Sequence, residues 1–330
     1  MTESRSASPL FLQLLADRKG SPAGLLFDAD ATLPPPALPQ EALGELAAHG
    51  ACYYRADLAA GLADTLRAQG WRPLAADSVL RADAMFPPAL APAVQCVEGD
   101  WFLAAPPKPV GQQAMSRALA LQLVQLVAAD ADTHEIESLL RRDPTLSYQL
   151  LRLVNSLGVG TGRRVTSFSQ AILILGRTQL RRWLNLMLFC TRDGDLRSPM
   201  LLGRVAVRAR AMELLAQATG MDKAHQEQAF MAGMFSLLGV LFGLPLAEVL
   251  QPLTIADAVQ QALLRHEGEM GQLLVLLEGA ERRDFAALSG QLAQLALPAA
   301  EFNQIVADAH LWMQSVAASA ADTGQGQGHA

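Results

Sequence analysis

The distribution of proline constrains the fold of this chain more than any other feature. Thirteen of the 18 prolines lie before residue 111, several of them in runs such as Pro34-Pro35-Pro36, and only five follow. Proline interrupts helices because it lacks an amide hydrogen and clashes with the preceding turn. The sequence therefore predicts a small α/β domain over residues 1–110 and a helical domain over 111–318. The glycine-rich tail, 319–330, is predicted to be disordered.

The composition agrees with a mainly α protein that has a large core. Of 330 residues, 51% are hydrophobic but only 5% are aromatic, so most of the apolar content is aliphatic. Leucine and alanine favour helices over strands. Residues 230–247 carry no charge; this run is interrupted by glycine and proline and is predicted to be a buried core helix that ends near Gly243. No membrane span is therefore expected.

Short apolar segments in the first third predict a few strands. Residues 24–27 and 51–54 are strand candidates, and 57–69 is predicted to be a helix. Residues 94–97 and 101–103 are predicted to pair as a hairpin whose turn places Gly99 at positive φ. The cysteines, Cys52, Cys96 and Cys190, are odd in number and widely spaced, which favours a reducing, cytoplasmic environment.

Positive charge is concentrated in the middle of the chain. Residues 141–210 contain 13 arginines and three aspartates, although the whole chain has a formal charge of −6. This asymmetry indicates an anionic partner, docking of the acidic and basic parts of the chain on each other, or arginines that solvate helix surfaces. The overall negative charge argues against nucleic acid as the partner.

Two aspartates suggest a phosphohydrolase as one alternative. Residues 24–32 resemble the first motif of haloacid-dehalogenase-type phosphohydrolases, in which an apolar strand presents a nucleophilic aspartate and a second aspartate two residues later. Asp28 and Asp30 occupy these places. Carboxylates at a strand end can hold Mg²⁺ and attack a phosphate. The lysine and the later acidic pair that would complete such a site are not found nearby.

No other metal or cofactor motif is evident. None of the six histidines pairs with another at helical spacing, and no Cys/His cluster has zinc spacing. Glu41-Ala42-Leu43 spells the signature of EAL cyclic di-GMP phosphodiesterases, but its surroundings predict a helix rather than a barrel strand. No metal and no cofactor are therefore expected.

A series of motifs from residue 141 onward resembles the HDOD domain. The motifs are 141–156, 164–167, 170–172, 175–176, 180–183, 211–215, 232–235, 268–277 and 281–285. The resemblance covers roughly 111–318 and implies an all-helical domain related to the metal-dependent HD-GYP phosphodiesterases. The later motifs resemble most closely the subgroup in which an HDOD domain follows an EAL domain. Residues 1–110 then stand where EAL would be, which suggests a shortened or diverged EAL remnant.

The resemblance also implies a degenerate metal site. The His-Asp pair of an HD enzyme would fall at Ser236-Leu237, and its first histidine ligand near Arg204. Serine, leucine and arginine do not bind a binuclear metal centre. The sequence therefore predicts that the chain is not an enzyme.

The leading hypothesis is a bacterial, cytoplasmic signalling protein that acts by binding other macromolecules, with a protein partner expected. Arginine and tryptophan are favoured at binding hot spots. The candidate binding residues are Arg141, Arg142, Arg163, Arg164, Arg177, Arg181, Arg182 and Trp183. The alternatives are the Mg²⁺-dependent phosphohydrolase and a sensor of cyclic di-GMP or another nucleotide, whose phosphates arginines would bind.

Overall fold

The computed structural model describes residues 7–106, 131–140, 195–253 and 255–321, with six single positions between 122 and 182. The statements that follow concern these residues. Much of the helical domain predicted over 111–318, between 141 and 194 above all, lies outside them. The prediction of a disordered tail over 319–330 is wrong for its first three residues, because the last helix extends to Ala321, and the rest of the tail lies outside the described residues.

Six strands form one sheet in the first third of the chain. They are β1 (Phe11–Ala16), β2 (Pro22–Asp28), β3 (Cys52–Arg55), β4 (Arg72–Leu74), β5 (Val79–Arg81) and β6 (Cys96–Glu98). The sheet order is β4-β3-β2-β1-β6-β5. β1 is antiparallel to both of its neighbours, and all other pairings are parallel. β2 to β6 therefore end at the same edge, which we call the carboxyl edge.

The connections of β2, β3 and β4 explain their parallel pairing. Helix α1 (Gln40–His49) joins β2 to β3, and α2 (Ala60–Ala68) joins β3 to β4. Parallel neighbours require such crossovers. The strand predictions near 24–27 and 51–54 are confirmed, and so are the helix within 57–69 and the helical setting of Glu41.

The predicted hairpin after residue 94 is wrong in its second half. Trp101–Leu103 forms a short 3₁₀ turn, and β6 pairs instead with β1 and β5. Trp101 and Phe102 are fully buried, so they anchor the turn by packing. Gly99 does adopt positive φ, at +102°.

The rest of the described chain is helical, which agrees with a mainly α protein that carries a small N-terminal sheet. The helices are α3 (Thr133–Leu140), α4 (Ser198–Ala218), α5 (Lys223–Phe235), α6 (Leu238–Phe242), α7 (Leu246–Leu250), α8 (Asp257–Arg265), α9 (Gly268–Glu281), α10 (Phe285–Gln294) and α11 (Ala299–Ala321). The single helix predicted over the uncharged run 230–247 is therefore wrong, because the run is divided among α5, α6 and α7. Gly243, at φ +62°, ends α6 as predicted. Within the described ranges, no helix combines the length and apolar character needed to cross a bilayer.

The sheet and the helices share one hydrophobic core. All six residues of β1 are buried, and residues of β1 and β2 belong to the same apolar cluster as α4, α5, α9 and α11. Gly203 of α4 lies directly on β1, since a Cβ there would come within 3.0 Å of Leu14 Cδ1. Asn303 of α11 adds polar contacts, because its side chain accepts from Leu10 N and donates to Ser8 O. The helices are thus fixed against the sheet next to its carboxyl edge.

Candidate functional site

Two arginines of α4 form the centre of a buried polar cluster. Arg204 and Arg208 are four residues apart and therefore lie on the same face of the helix. This face is buried, and the two residues are only 4% and 5% exposed. A buried charge is tolerated only when it is paired and hydrogen-bonded. Their partners must therefore come from elsewhere in the chain.

The main partner is Glu281, the last residue of α9. Arg208 Nε donates to Glu281 Oε1 at 2.9 Å, and its Nη2 donates to Oε2. Arg204 Nη1 lies 3.1 Å from Glu281 Oε2. One carboxylate thus bridges both guanidinium groups, and it binds Arg208 through both of its oxygens, which is among the stronger hydrogen-bond geometries in proteins.

Two further groups complete the cluster, one from each side. Arg208 Nη1 donates to Ser236 Oγ at 2.8 Å, and that hydroxyl donates to Gly233 O at 2.7 Å. Arg204 Nη2 donates to Asp100 Oδ1 at 3.2 Å, in the loop after β6. We call Asp100, Arg204, Arg208, Ser236 and Glu281 the arginine network. Two cations and two carboxylates give it no net charge.

Electrostatics keep the network ionised. Burial would raise the pKa of Glu281, but the charges of Arg208 and Arg204 outweigh it and hold this pKa below its usual value. Burial likewise disfavours the charged form of Arg208, but Glu281 raises its pKa. His310 of α11 lies near Arg204, and burial together with this positive charge lowers its pKa to about 3. His310 is therefore neutral at physiological pH.

The predicted degenerate positions fall in or beside this network. Arg204 and Ser236 are both members, joined through Arg208 and Glu281. Leu237 instead packs in the hydrophobic core. Guanidinium groups repel metal ions, and in the described part of the chain no three His, Cys, Asp or Glu side chains converge as metal ligands would. That these positions correspond to the HD pair stays a prediction.

Arg182, predicted as part of an open docking surface, is buried. Its guanidinium pairs with Glu213 of α4 at 2.8 Å and with Glu227 of α5, and it stacks on the Phe230 ring at 4.3 Å. The guanidinium therefore ties α4 to α5 instead of facing a partner. The remaining predicted binding residues lie outside the described residues: Arg141, Arg142, Arg163, Arg164, Arg177, Arg181 and Trp183.

The two candidate phosphohydrolase aspartates occupy different environments. Asp28 ends β2 at the carboxyl edge, is only 16% exposed, and lies 3.3 Å from Arg283 Nη1. Burial, and secondarily the neighbouring Glu98, raise its pKa to about 6 although Arg55 favours its charged form. Asp30 is partly exposed and accepts hydrogen bonds from Thr32, which lower its pKa.

These pKa shifts predict different effects on thermal stability for two matched variants, Asp28→Asn and Asp30→Asn. Because the pKa of Asp28 is raised in the folded state, the protonated form of this carboxyl stabilises the fold. This contribution to the free energy of unfolding is fully present below pH 4 and is lost as the pH rises through 6. The loss is about 2 to 3 kcal/mol. Asp28→Asn cannot ionise, so we expect it to unfold at a higher temperature than the wild type at pH 7.5, by a margin that shrinks at pH 5.

Thermal unfolding at the two pH values checks this expectation, with Asp30→Asn as the control. Because the pKa of Asp30 is lowered, Asp30→Asn should give no gain at pH 7.5. If Asp28→Asn is less stable than the wild type at pH 7.5, the ion pair with Arg283 outweighs the cost of burying the charge.

Comparison with known proteins identifies the helical part. Residues 115–274 match the model of the HDOD domain. The chain contains an HDOD domain. The resemblance based on the sequence motifs is thereby confirmed, and α4, α5 and the first half of α9, with Arg204, Arg208 and Ser236, belong to this domain. Glu281 and Asp100 lie outside the matched residues.

Two curated proteins are similar in sequence to part of this chain. Cyclic di-GMP phosphodiesterase CdgJ of Vibrio cholerae serotype O1 (strain ATCC 39315 / El Tor Inaba N16961) is 32% identical over 214 residues, 64% of this chain and 49% of CdgJ. The Bacillus subtilis (strain 168) protein YuxH, named as uncharacterized, is 30% identical over 169 residues, 51% of this chain and 41% of YuxH. This chain therefore spans about half or less of the length of these relatives.

One solved structure is similar in part. A crystal structure described as “Putative phosphohydrolase” from Shewanella amazonensis SB2B shares 16% identity and a TM-score of 0.43, covering 62% of this chain and 93% of that chain. This likeness is too distant to bear on function.

The prediction that the chain is not an enzyme is contradicted by these comparisons. A relative with 32% identity over most of this chain is named as a phosphodiesterase. The sequence argument rested on missing ligands at three positions of the helical domain, and those positions concern one type of catalytic site only. An HD-type metal site is one route to phosphodiester hydrolysis. Missing ligands at these three positions do not exclude other routes.

Sequence reasoning missed Arg208, Glu281 and Asp100. One signal was available for Arg208, because two arginines spaced by four in the otherwise apolar segment 200–209 indicate a buried pair that needs acidic partners. Nothing local indicates which acids these are. Glu281 is 73 residues from Arg208, and Asp100 is 104 residues from Arg204.

Proposed function

We propose that this chain acts in cyclic di-GMP signalling and that its HDOD domain binds another macromolecule, with a protein as the partner. The observation that carries this proposal is the HDOD match over residues 115–274, together with 32% identity to a protein named as a cyclic di-GMP phosphodiesterase. Fold alone does not define function, so the argument must also rest on the residues.

The packing of the described helices limits which arginines can bind a partner. The buried arginines of α4, and Arg182 beside them, are paired with the chain's own carboxylates. These charges hold the domain together and are not available to a ligand. The proposed docking residues are therefore the other arginines of the basic segment, Arg141, Arg142, Arg163, Arg164, Arg177 and Arg181, with Trp183.

The N-terminal sheet supports a second part of the proposal, that residues 1–110 are a separate unit derived from an EAL domain. Strands β2, β3 and β4 are joined by α1 and α2 into two consecutive βαβ units. Repeated units of this kind build α/β barrels, and their functional groups lie at the carboxyl ends of the strands. The short sheet then represents a fraction of such a barrel. A cytoplasmic location is part of the same proposal.

A second candidate function is the binding of cyclic di-GMP itself, which the name of CdgJ favours. Arginine forks bind phosphates in a bidentate manner. The two candidates differ in the ligand that the purified chain retains, so they can be separated by one set of measurements.

The experiment compares the wild type with the triple variant Arg163→Glu/Arg164→Glu/Arg177→Glu. The control is Arg265→Glu, at an exposed position that ends α8. Partners are identified by cross-linking and mass spectrometry, and each is then titrated as a purified protein. We expect binding at least ~10-fold weaker in the triple variant, since hot-spot residues contribute 2 kcal/mol or more. Binding should be unchanged in the control, with equal melting temperatures throughout.

Calorimetry and product analysis with cyclic di-GMP complete the test. Binding of the nucleotide without a protein partner would favour the second candidate. The proposal as a whole fails if the purified chain neither binds a protein through the basic segment nor binds or cleaves cyclic di-GMP.

A further inference from the structure

The arginine network connects the two parts of the chain, and Arg204 is the residue through which it does so. Arg204 lies in α4, but its guanidinium contacts Asp100 of the sheet loop on one side and Glu281 of α9 on the other. It also lies 5.2 Å from the centre of the Phe102 ring, in the 3₁₀ turn after β6. We infer that Arg204 couples the carboxyl edge of the sheet to the helical domain, so that a displacement of one destabilises the other.

On the sheet side, the backbone of Asp100 is anchored to the ends of two strands. Gly99 before it has φ +102°, and a Cβ there would come within 2.1 Å of Ala82 O, so only glycine fits. The amide of Asp100 donates to Asp83 Oδ1 at 3.3 Å, and the Asp83 carboxylate binds Arg81 at the end of β5. The position of Asp100 therefore follows the ends of β5 and β6.

On the helical side, the end of α9 and the turn after it are linked to the sheet in two ways, one indirect and one direct. Glu281 reaches it through Arg204, and Arg283 reaches Asp28 at the end of β2. Arg283 adopts φ +61°, a left-handed conformation that is costly for a residue with a side chain. The two contacts therefore hold a strained turn against the carboxyl edge.

The charge balance makes this arrangement cooperative. With Asp100 in place, two guanidinium groups face two carboxylates. If Asp100 moves away, Arg204 keeps one of its two carboxylate partners, Glu281, which it shares with Arg208, and a buried charge that loses a partner is strongly destabilising. Asp100 is the accessible member, with 37% of its side chain exposed, whereas Arg204 is almost fully buried. A ligand or partner that displaces Asp100 would thus loosen α4 and α9, whatever the chain binds.

Hydrogen exchange on the full-length chain tests this coupling. In Asp100→Asn we expect amides in residues 200–210 of α4 and 276–285 of the α9–α10 turn to exchange about 5- to 10-fold faster. Amides in α2 should not change. The matched control is Asp64→Asn, which removes an exposed carboxylate that pairs with Arg67 within α2 and should alter exchange there only.

A second variant tests the coupling in the opposite direction. Arg283→Gln removes the other contact from the helical side, and we expect faster exchange at residues 26–30 and 96–104 of the sheet. The inference is overturned if each variant changes exchange only within its own part of the chain. Since Asp100 and Arg283 are both partly exposed, folded protein is expected for both, and circular dichroism verifies it.

Discussion

Replacing Glu281 with glutamine is expected to lower the free energy of unfolding by about 3 to 5 kcal/mol, the cost typical of breaking a buried ion pair from one side. The amide fills the same space but leaves two buried guanidinium groups without their shared carboxylate. Glu278 does not replace the carboxylate of Glu281, because its Oε1 lies 3.9 Å from Arg208 Nη1, which is too far for a hydrogen bond. Urea unfolding followed by circular dichroism measures the loss.

Two comparisons separate this effect from general damage. Asp64→Asn also removes one partner of an ion pair, but this pair is 61% and 69% exposed, so it should cost less than about 1 kcal/mol. The double variant Arg208→Met/Glu281→Gln should be less destabilised than the sum of its two single variants, because it removes one of the unpaired cations. A loss below about 1 kcal/mol in Glu281→Gln would mean that the network contributes little to stability.

Gly233→Ala is expected to destabilise the protein by about 3 kcal/mol, at the upper end of the range for overpacking. Gly233 of α5 packs directly on α4, and a Cβ there would lie 2.6 Å from Ala209 Cα and 2.9 Å from Arg208 O. These are backbone atoms that cannot rotate away, so the two helices must separate. Since Ser236 follows in the same helix, the shift would also disturb its hydrogen bond with Arg208.

Gly290→Ala is the matched control for this prediction. Gly290 also lies within a helix, α10, but nothing lies within 4 Å of a Cβ added there. Where the added methyl group meets no other atom, a helix is more stable with alanine than with glycine by about 0.5 to 1 kcal/mol. Gly290→Ala should therefore be slightly stabilising. Thermal and urea unfolding of the two variants should give opposite signs. A stable Gly233→Ala protein would show that the contact between α4 and α5 is looser than the structure indicates.

Local chemistry allowed much of the fold to be predicted. The crossover helices, the strands near 24–27 and 51–54, and the end of α6 at Gly243 follow from apolar runs and glycine positions. The strand β1 was not predicted. It lies in the middle of the sheet with both faces buried, so its sequence shows an apolar run broken only by Gln13 rather than the alternation that identifies a half-exposed strand.

The polar site was harder to predict because its members are distant in sequence. Arginine content alone suggested that Arg182 faces a partner, whereas the structure buries it between Glu213 and Glu227. A single sequence shows which residues carry charge but not which of them meet in the folded chain. Arg204 was singled out through the family resemblance, and its partners Asp100 and Glu281 emerged only from the tertiary structure.

The role of Arg204 in joining the sheet to the helices is tested most directly by a double-mutant cycle on Asp100 and Glu281. The free energy of unfolding is measured for Asp100→Asn, for Glu281→Gln and for the double variant. Both carboxylates pair with the guanidinium of Arg204, so we expect the two losses to be non-additive by at least about 1 kcal/mol. Losses that add within about 0.3 kcal/mol would contradict this role and would show that the two ion pairs act independently.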